Sequence, residues 1–232
     1  HGKGFYQWID GRAYDGEFLF GKRHGFGTLT WANGDKYQGM FNANRIQGTG
    51  NFSWANKDTY SGEFLADVRS GKGKMRWHTG QSYDGDFLQG VLHGQGHLVY
   101  ADGRQYIGEF SKGKRSGKGT LYWPNGNRYV GRFAADKRSG LGVIHWRDGT
   151  IYRGEFLDNR QSGWGIKEGR QWMFESPQCI NGLAHGDGLA VSLDGRLLIP
   201  DGKFILGQLV SGNVLEIPEV DTVASNADNG SS

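Results

Sequence analysis

Apolar and polar positions alternate along this chain in short stretches, and the stretches recur at a fixed interval of 23 residues. Tyr14, Tyr37, Tyr60, Tyr83, Tyr106, Tyr129 and Tyr152 mark the interval. Two residues after each tyrosine stands a glycine, from Gly16 to Gly154, and four after it a phenylalanine, from Phe18 to Phe156, without exception. In an extended segment these three positions share one face, while the acidic residue at offset three (Glu17, Glu63, Asp86, Glu109, Glu155) points to the other. A second segment repeats the alternation, with Tyr6, Leu29, Phe52, Met75, Leu98, Leu121 and Ile144 each two residues before an aromatic position, filled from Trp31 onward by Trp31, Trp54, Trp77, Tyr100, Trp123 and Trp146. Turn formers such as Phe20-Gly21-Lys22 separate the two segments. After the second come Asn33-Gly34, Asp102-Gly103, Asn125-Gly126 and Asp148-Gly149, dipeptides favoured where a tight turn needs positive φ. Each unit is therefore expected to be a β-hairpin, and the chain a meander of them.

Self-similarity at a fixed period of about 20 to 50 residues marks arrays in which each unit buries its apolar face against its neighbours. Glycine is the second clue: 41 of 232 residues is more than double the average share of about 7%. Two further glycine columns run from Gly25 to Gly163 and from Gly27 to Gly165. Glycine inside a strand normally weakens it. Beside Tyr and Phe on one face it leaves room for the rings to lie over the backbone and lets the sheet bend. The expectation is an all-β, elongated, single-layer antiparallel array of hairpins with a concave, aromatic-lined groove. Ring pairs in such a groove stabilise by roughly 0.5–1.5 kcal/mol beyond their area burial.

The pattern Tyr-x-Gly-x-Phe, then Gly-x-Gly and an aromatic residue before Asn/Asp-Gly, resembles the MORN (membrane occupation and recognition nexus) repeat family over about residues 1–165. The resemblance implies elongated, twisted antiparallel sheets grooved along one side. It also implies scaffolds that dimerise, hold protein partners in the groove, or tether complexes near membranes and the cytoskeleton, some of them beside a catalytic domain.

Both ends depart from the regular unit. His1-Gly2-Lys3-Gly4 and Trp8 occupy the second half of a repeat, so the chain is expected to be a fragment. The array is placed at residues 1–169. Residues 170–218 read as a degenerate eighth repeat followed by a C-terminal β cap: Glu175, Pro177 and Cys179 replace Tyr, Gly and Phe, and Leu189, Val191 and Leu193 fall one residue out of phase. Its aliphatic surface suits either a cap guarding the last strand or a dimerisation contact. Residues 219–232 carry no period and are expected to be a flexible tail.

Composition narrows the setting. No apolar run approaches the roughly 20 residues of a membrane helix, and the single Cys179 rules out a disulfide framework, which points to a cytoplasmic protein. The net charge of +3 is small but unevenly placed. Lys22, Arg23, Arg45, Arg69, Lys114, Arg115, Lys137 and Arg138 fall in the loops between the two strands, which suggests a basic edge suited to acidic phospholipid or an acidic partner, or simply soluble loops. Nucleic acid is not expected, because acidic columns share the sheet and the aromatic residues are committed to packing. No cofactor, metal or catalytic group is expected. The Gly-x-Gly elements recur in every unit and open no helix, His1, His24, His93 and His185 share a column with serines, and Cys179 at a core position has no partner base.

The functional expectation is a non-enzymatic scaffold that binds a protein peptide or helix along the groove, and that pairs as a homodimer in one version of the reading. The groove residues are Tyr37, Phe41, Trp54, Tyr60, Phe64, Trp77, Tyr83, Phe87, Tyr100, Tyr106, Phe110, Trp123, Tyr129 and Trp146. Truncating Trp77 or Tyr83 is expected to weaken a partner more than it unfolds the chain. The alternatives are a membrane-surface adaptor using the basic edge, with association to membrane or cytoskeleton, and the targeting array of an enzyme.

Overall fold

The computed structural model describes residues 1–169, 172–176, 178–180, 183–192, 197–205 and 208–216. All regular structure in them is strand. The first seven strands are β1 (Gly2–Gln7), β2 (Ala13–Leu19), β3 (Lys22–Thr30), β4 (Lys36–Asn42), β5 (Arg45–Ser53), β6 (Thr59–Leu65) and β7 (Val68–Arg76). The series continues with β8 (Ser82–Leu88), β9 (Val91–Val99), β10 (Gln105–Ser111), β11 (Lys114–Tyr122), β12 (Arg128–Ala134), β13 (Lys137–His145), β14 (Ile151–Leu157) and β15 (Arg160–Glu168). From β1 to β13 each strand pairs antiparallel with the next, as two strands per 23-residue unit require.

Two compact units are distinguished: His1–Arg147 with Phe156–Asn159, and Asp148–Glu155 with Arg160–Ser232. In the first, register brings glycine opposite glycine on strand after strand, Gly4 to Gly16, Gly27, Gly39, Gly50 and on to Gly142. The result is a furrow of bare backbone across the sheet, and the tyrosine of each unit lies in it. Tyr14, Tyr37, Tyr60, Tyr83, Tyr106 and Tyr129 are 0–1% exposed. Each ring is flanked edge-on by the phenylalanine of its own unit and that of the next, at 4.9–5.3 Å between centroids, so that Tyr and Phe alternate in an unbroken row. This row is the core that a single-layer sheet has available to it.

The hydroxyl at the far end of each ring needs an acceptor, because burying it unpaired is costly. Each donates at 2.9–3.1 Å to the backbone carbonyl three residues on, such as Glu17 O under Tyr14 or Glu109 O under Tyr106. That carbonyl is free because the ladder slips there: a bulge separates Gly16 from Phe18, Gly39 from Phe41, and so on through Gly131 and Phe133. Across the bulge the opposing strand turns through a left-handed glycine, for example Gly117 at φ 60°. The acid of the bulge then accepts from the next backbone N–H, as Glu63 does from Lys72, Asp86 from Gln95 and Glu109 from Lys118. The acidic column, which points away from the tyrosine face, therefore fastens its own hairpins.

Two turn types alternate. Within each unit the pair Phe20-Gly21, Ala43-Asn44, Ala66-Asp67, Gln89-Gly90, Lys112-Gly113 or Ala135-Asp136 has positive φ at both residues, the type I′ geometry that matches strand twist. The N–H of its second residue donates to the preceding unit, as from Asn44 to Arg23 O and from Asp67 to Ile46 O. The Asn/Asp-Gly dipeptides instead close wider loops, in which Trp31 N bonds Asp35 O and Gly34 N bonds Trp31 O. Only the second position, Gly34, Gly80, Gly103 or Gly126, has positive φ there, and Lys57 takes that place in one unit at φ 72°.

The second unit includes β16 (Trp172–Ser176), β17 (Gln178–Ile180), β18 (Leu183–Ser192), β19 (Leu197–Ile205), β20 (Gln208–Ser211) and β21 (Leu215–Glu216). β18 pairs with β16, β17 and β19, and β19 with β20 and β21. Ala190, Ile199 and Phe204 form its buried cluster, aliphatic in the main as the composition suggested. Leu189 and Val191 are half-buried on the side opposite Ala190. The expectations for Pro177, Leu193, the Cys179 side chain and the tail 219–232 lie outside what is described.

Candidate functional site

Above the buried Tyr/Phe row, on the same face, stand Trp31, Trp54, Trp77, Tyr100, Trp123 and Trp146, all half-buried. Trp31 and Trp54 both pack on Phe52, at 5.2 and 4.4 Å. Between Trp54 and Trp77 the face opens into a cavity of about 510 Å³, floored by Met75 and Phe87 and rimmed by Asn56, Asp58 and Val91. Asp58 is held in place by His78, whose backbone N–H and ring Nδ1 both lie 2.8 Å from Oδ1. The N–H of His78 and its ring hold the Asp58 carboxyl below the usual carboxylate range.

The residues expected to line the groove divide by depth. Tyr37, Tyr60, Tyr83, Tyr106 and Tyr129 offer a partner no surface, and Phe41, Phe64, Phe87 and Phe110 are buried with them. Burial pushes the phenol of Tyr37, Tyr60 and Tyr129 up to about 12 and those of Tyr83 and Tyr106 up as well. These rings lie flat on glycine backbone and form the floor. The accessible groove is Trp54, Trp77, Tyr100, Trp123 and Trp146.

The expected basic edge divides too. Lys22, Arg45, Lys114 and Lys137 are exposed at the hairpin ends, with Lys137 paired to Asp158 at 2.9 Å. Arg23, Arg69, Arg115 and Arg138 lie one position further and turn onto the aromatic face. Each guanidinium sits 5.2–6.0 Å from three rings: the Trp or Tyr100 of the previous unit, the tyrosine of its own, and the phenylalanine of the next. Each also donates to a turn carbonyl: Arg23 to Asn44, Arg69 to Gly90, Arg115 to Asp136 and Arg138 to Asn159. Burial lowers the pKa of Arg23, Arg69 and Arg138. These four are parts of the packed face, not of an open basic edge. A signal for this lay in the column itself, which holds Ile46 and Leu92 in the units between and so reads as an inward position.

The MORN repeat pattern matches residues 1–11, 14–36, 37–59, 60–82, 83–103, 106–128 and 129–151. The chain belongs to the MORN repeat family. Its matched units are those whose Tyr, Gly and Phe columns build the furrow and the aromatic row. No curated protein matches the MORN chain. Among solved structures it is similar to the TCP10 domain of Danio rerio CPAP in complex with a STIL peptide, at 12% identity and a TM-score of 0.49 over 91% of this chain and 98% of that one. It is also similar to the SAS-4 TCP domain of Drosophila melanogaster in complex with a proline-rich motif of Ana2, at 16% identity and a TM-score of 0.40 over 72% and 84%.

Proposed function

We propose that this MORN array is a non-enzymatic scaffold that holds a protein partner, as an extended peptide or a helix, along its row of half-buried tryptophans. The observation that carries the reading is the cavity between Trp54 and Trp77. There, aromatic and aliphatic surface is reachable from solvent over a floor already locked by the Tyr/Phe row. Apolar surface left open in this way marks an interaction site, and two rings one repeat apart set a spacing that a partner's anchors can match. Arg69, in the cavity lining, donates to Gly90 O and to Met75 Sδ and lies against three rings, so we take the cavity to select by shape and apolar contact more than by charge.

The test compares Trp77→Ala with the wild type in protein capture and in a thermal melt. Capture of a specific partner is expected to be lost while the melting midpoint falls by about 2–4 °C or less. A parallel loss of stability and capture would count against the groove. Tyr83, at the floor, is a poorer probe: its buried hydroxyl shares one proton between Asp86 O at 3.0 Å and His93 O at 3.2 Å, so its truncation is expected to cost stability as well as binding. Self-association belongs to the same proposal at the C-terminal segment, where Leu209, Val210, Val214 and Leu215 are exposed. A concentration-independent sedimentation coefficient would remove that element. Cytoplasmic residence, with membrane or cytoskeletal association, completes the reading.

A further inference from the structure

The face opposite the tryptophans changes character along the array. In the first four units its central positions are polar or charged: Asp15, Gln38, Ser61 and Asp84 on one strand of each unit, opposite Thr28, Asn51, Lys74 and His97 on the other. In the next two units the same positions hold Ile107 with Thr120 and Val130 with Val143. Thr120 also pairs with Val130, so the four residues form a row across β10 to β13. With strands about 4.8 Å apart the row is about 14 Å long. Ile107, Val130 and Leu141 are 48%, 41% and 69% exposed, and they line a depression of about 540 Å³.

Charge around this strip is predominantly positive. Lys118, Arg128 and Arg132 stand on the same face, and none of them makes an ion pair among the described residues. The neighbouring carboxylate, Glu109, accepts the backbone N–H of Lys118. Two units earlier, the lysine of the Lys118 column, Lys72, is neutralised within the sheet by Asp86, and Lys74 two residues on is neutralised by Asp84.

We propose that this strip docks an acidic amphipathic helix of a partner protein, on the face opposite the tryptophan groove. The apolar row takes the helix's apolar stripe, and the unpaired cations take flanking carboxylates. A helix pitch of about 5.4 Å is close to the strand spacing, so anchors one turn apart follow the row from strand to strand. A second copy of the chain fits poorly, because a two-fold contact would set these cations against themselves.

The test is a selection of random 16-residue peptides displayed on phage against the full chain, with counter-selection on Leu141→Glu. Peptides are expected to emerge with Asp or Glu beside apolar residues at i, i+3, i+4 and i+7. Their affinity should fall at least tenfold in Leu141→Glu and in Arg132→Glu, weaken with added salt, and stay unchanged in Trp77→Ala. Leu141 is exposed enough that its substitution leaves the melt unaltered, and Val130→Lys serves as a second probe. An empty selection, basic or neutral winners, or affinity indifferent to Leu141→Glu would overturn the proposal. So would self-association, or binding of the chain to phosphatidylserine vesicles, that disappears in the same variants.

Discussion

At Gly73 a β-carbon would lie 2.4 Å from Tyr60 Oη and 2.5 Å from its Cε2, well inside contact distance, and the atoms it meets belong to a ring that cannot yield. Gly73→Ala is therefore expected to cost about 1–3 kcal/mol, read as a lower denaturant midpoint with unchanged slope. Lys57 is the opposite case. It holds φ 72° at a loop position where other units have glycine, a conformation that costs an L-residue roughly 1–2 kcal/mol. Lys57→Gly relieves that cost while adding unfolded-state freedom, so a net gain of up to about 1 kcal/mol is expected in the same assay. At this scale the sequence was highly legible: the glycine, tyrosine and phenylalanine columns announced rings lying on backbone. Which rings stayed reachable was not legible, because a tyrosine and a tryptophan of one face look alike until depth is known.

Between hairpins, the Arg23, Arg69, Arg115 and Arg138 column joins three successive units through one side chain. Ile46, at 5% exposure, and Leu92 occupy the same position in other units. The position thus wants bulk more than charge, since a guanidinium stem packs like an aliphatic chain. Arg69→Leu is expected to shift stability by less than about 1.5 kcal/mol, whereas Arg69→Ala costs about 2 kcal/mol or more by opening a cavity; thermal melts of both variants check the contrast. The sequence pointed to hairpins with the correct partners, because period-two alternation and a constant unit length leave one register. It misplaced the arginines, since a cation beside a turn reads as solvated unless its ring neighbours come from other units. The hairpin-fastening role of Glu63 and Glu109 was not legible either, because it comes from a slip in pairing that residue types do not show.

For the molecule as a whole, the tyrosine row is a shared titration barrier. The phenols of Tyr37, Tyr60 and Tyr129 rise to about 12 in the fold, against about 10 in an unfolded chain. A group whose folded pKa is raised contributes stability that is complete below about 10 and is lost as pH climbs through about 12. Alkaline unfolding is expected in that window, with tyrosinate absorbance and loss of β circular dichroism rising together. Stepwise ionisation of the row at pH 10 with the sheet intact would contradict it. The same geometry divides the ten tyrosines of the chain into chemical populations, with Tyr100 half-buried in the groove. Tyr6 and Tyr122 are open to water, while the seven of the 23-residue column, each buried, keep their hydroxyls against backbone carbonyls. A kinase, a nitrating agent or an iodination reagent does not meet the buried seven in the folded protein, so a modified Tyr60 or Tyr106 in a cell would record a molecule that had come apart.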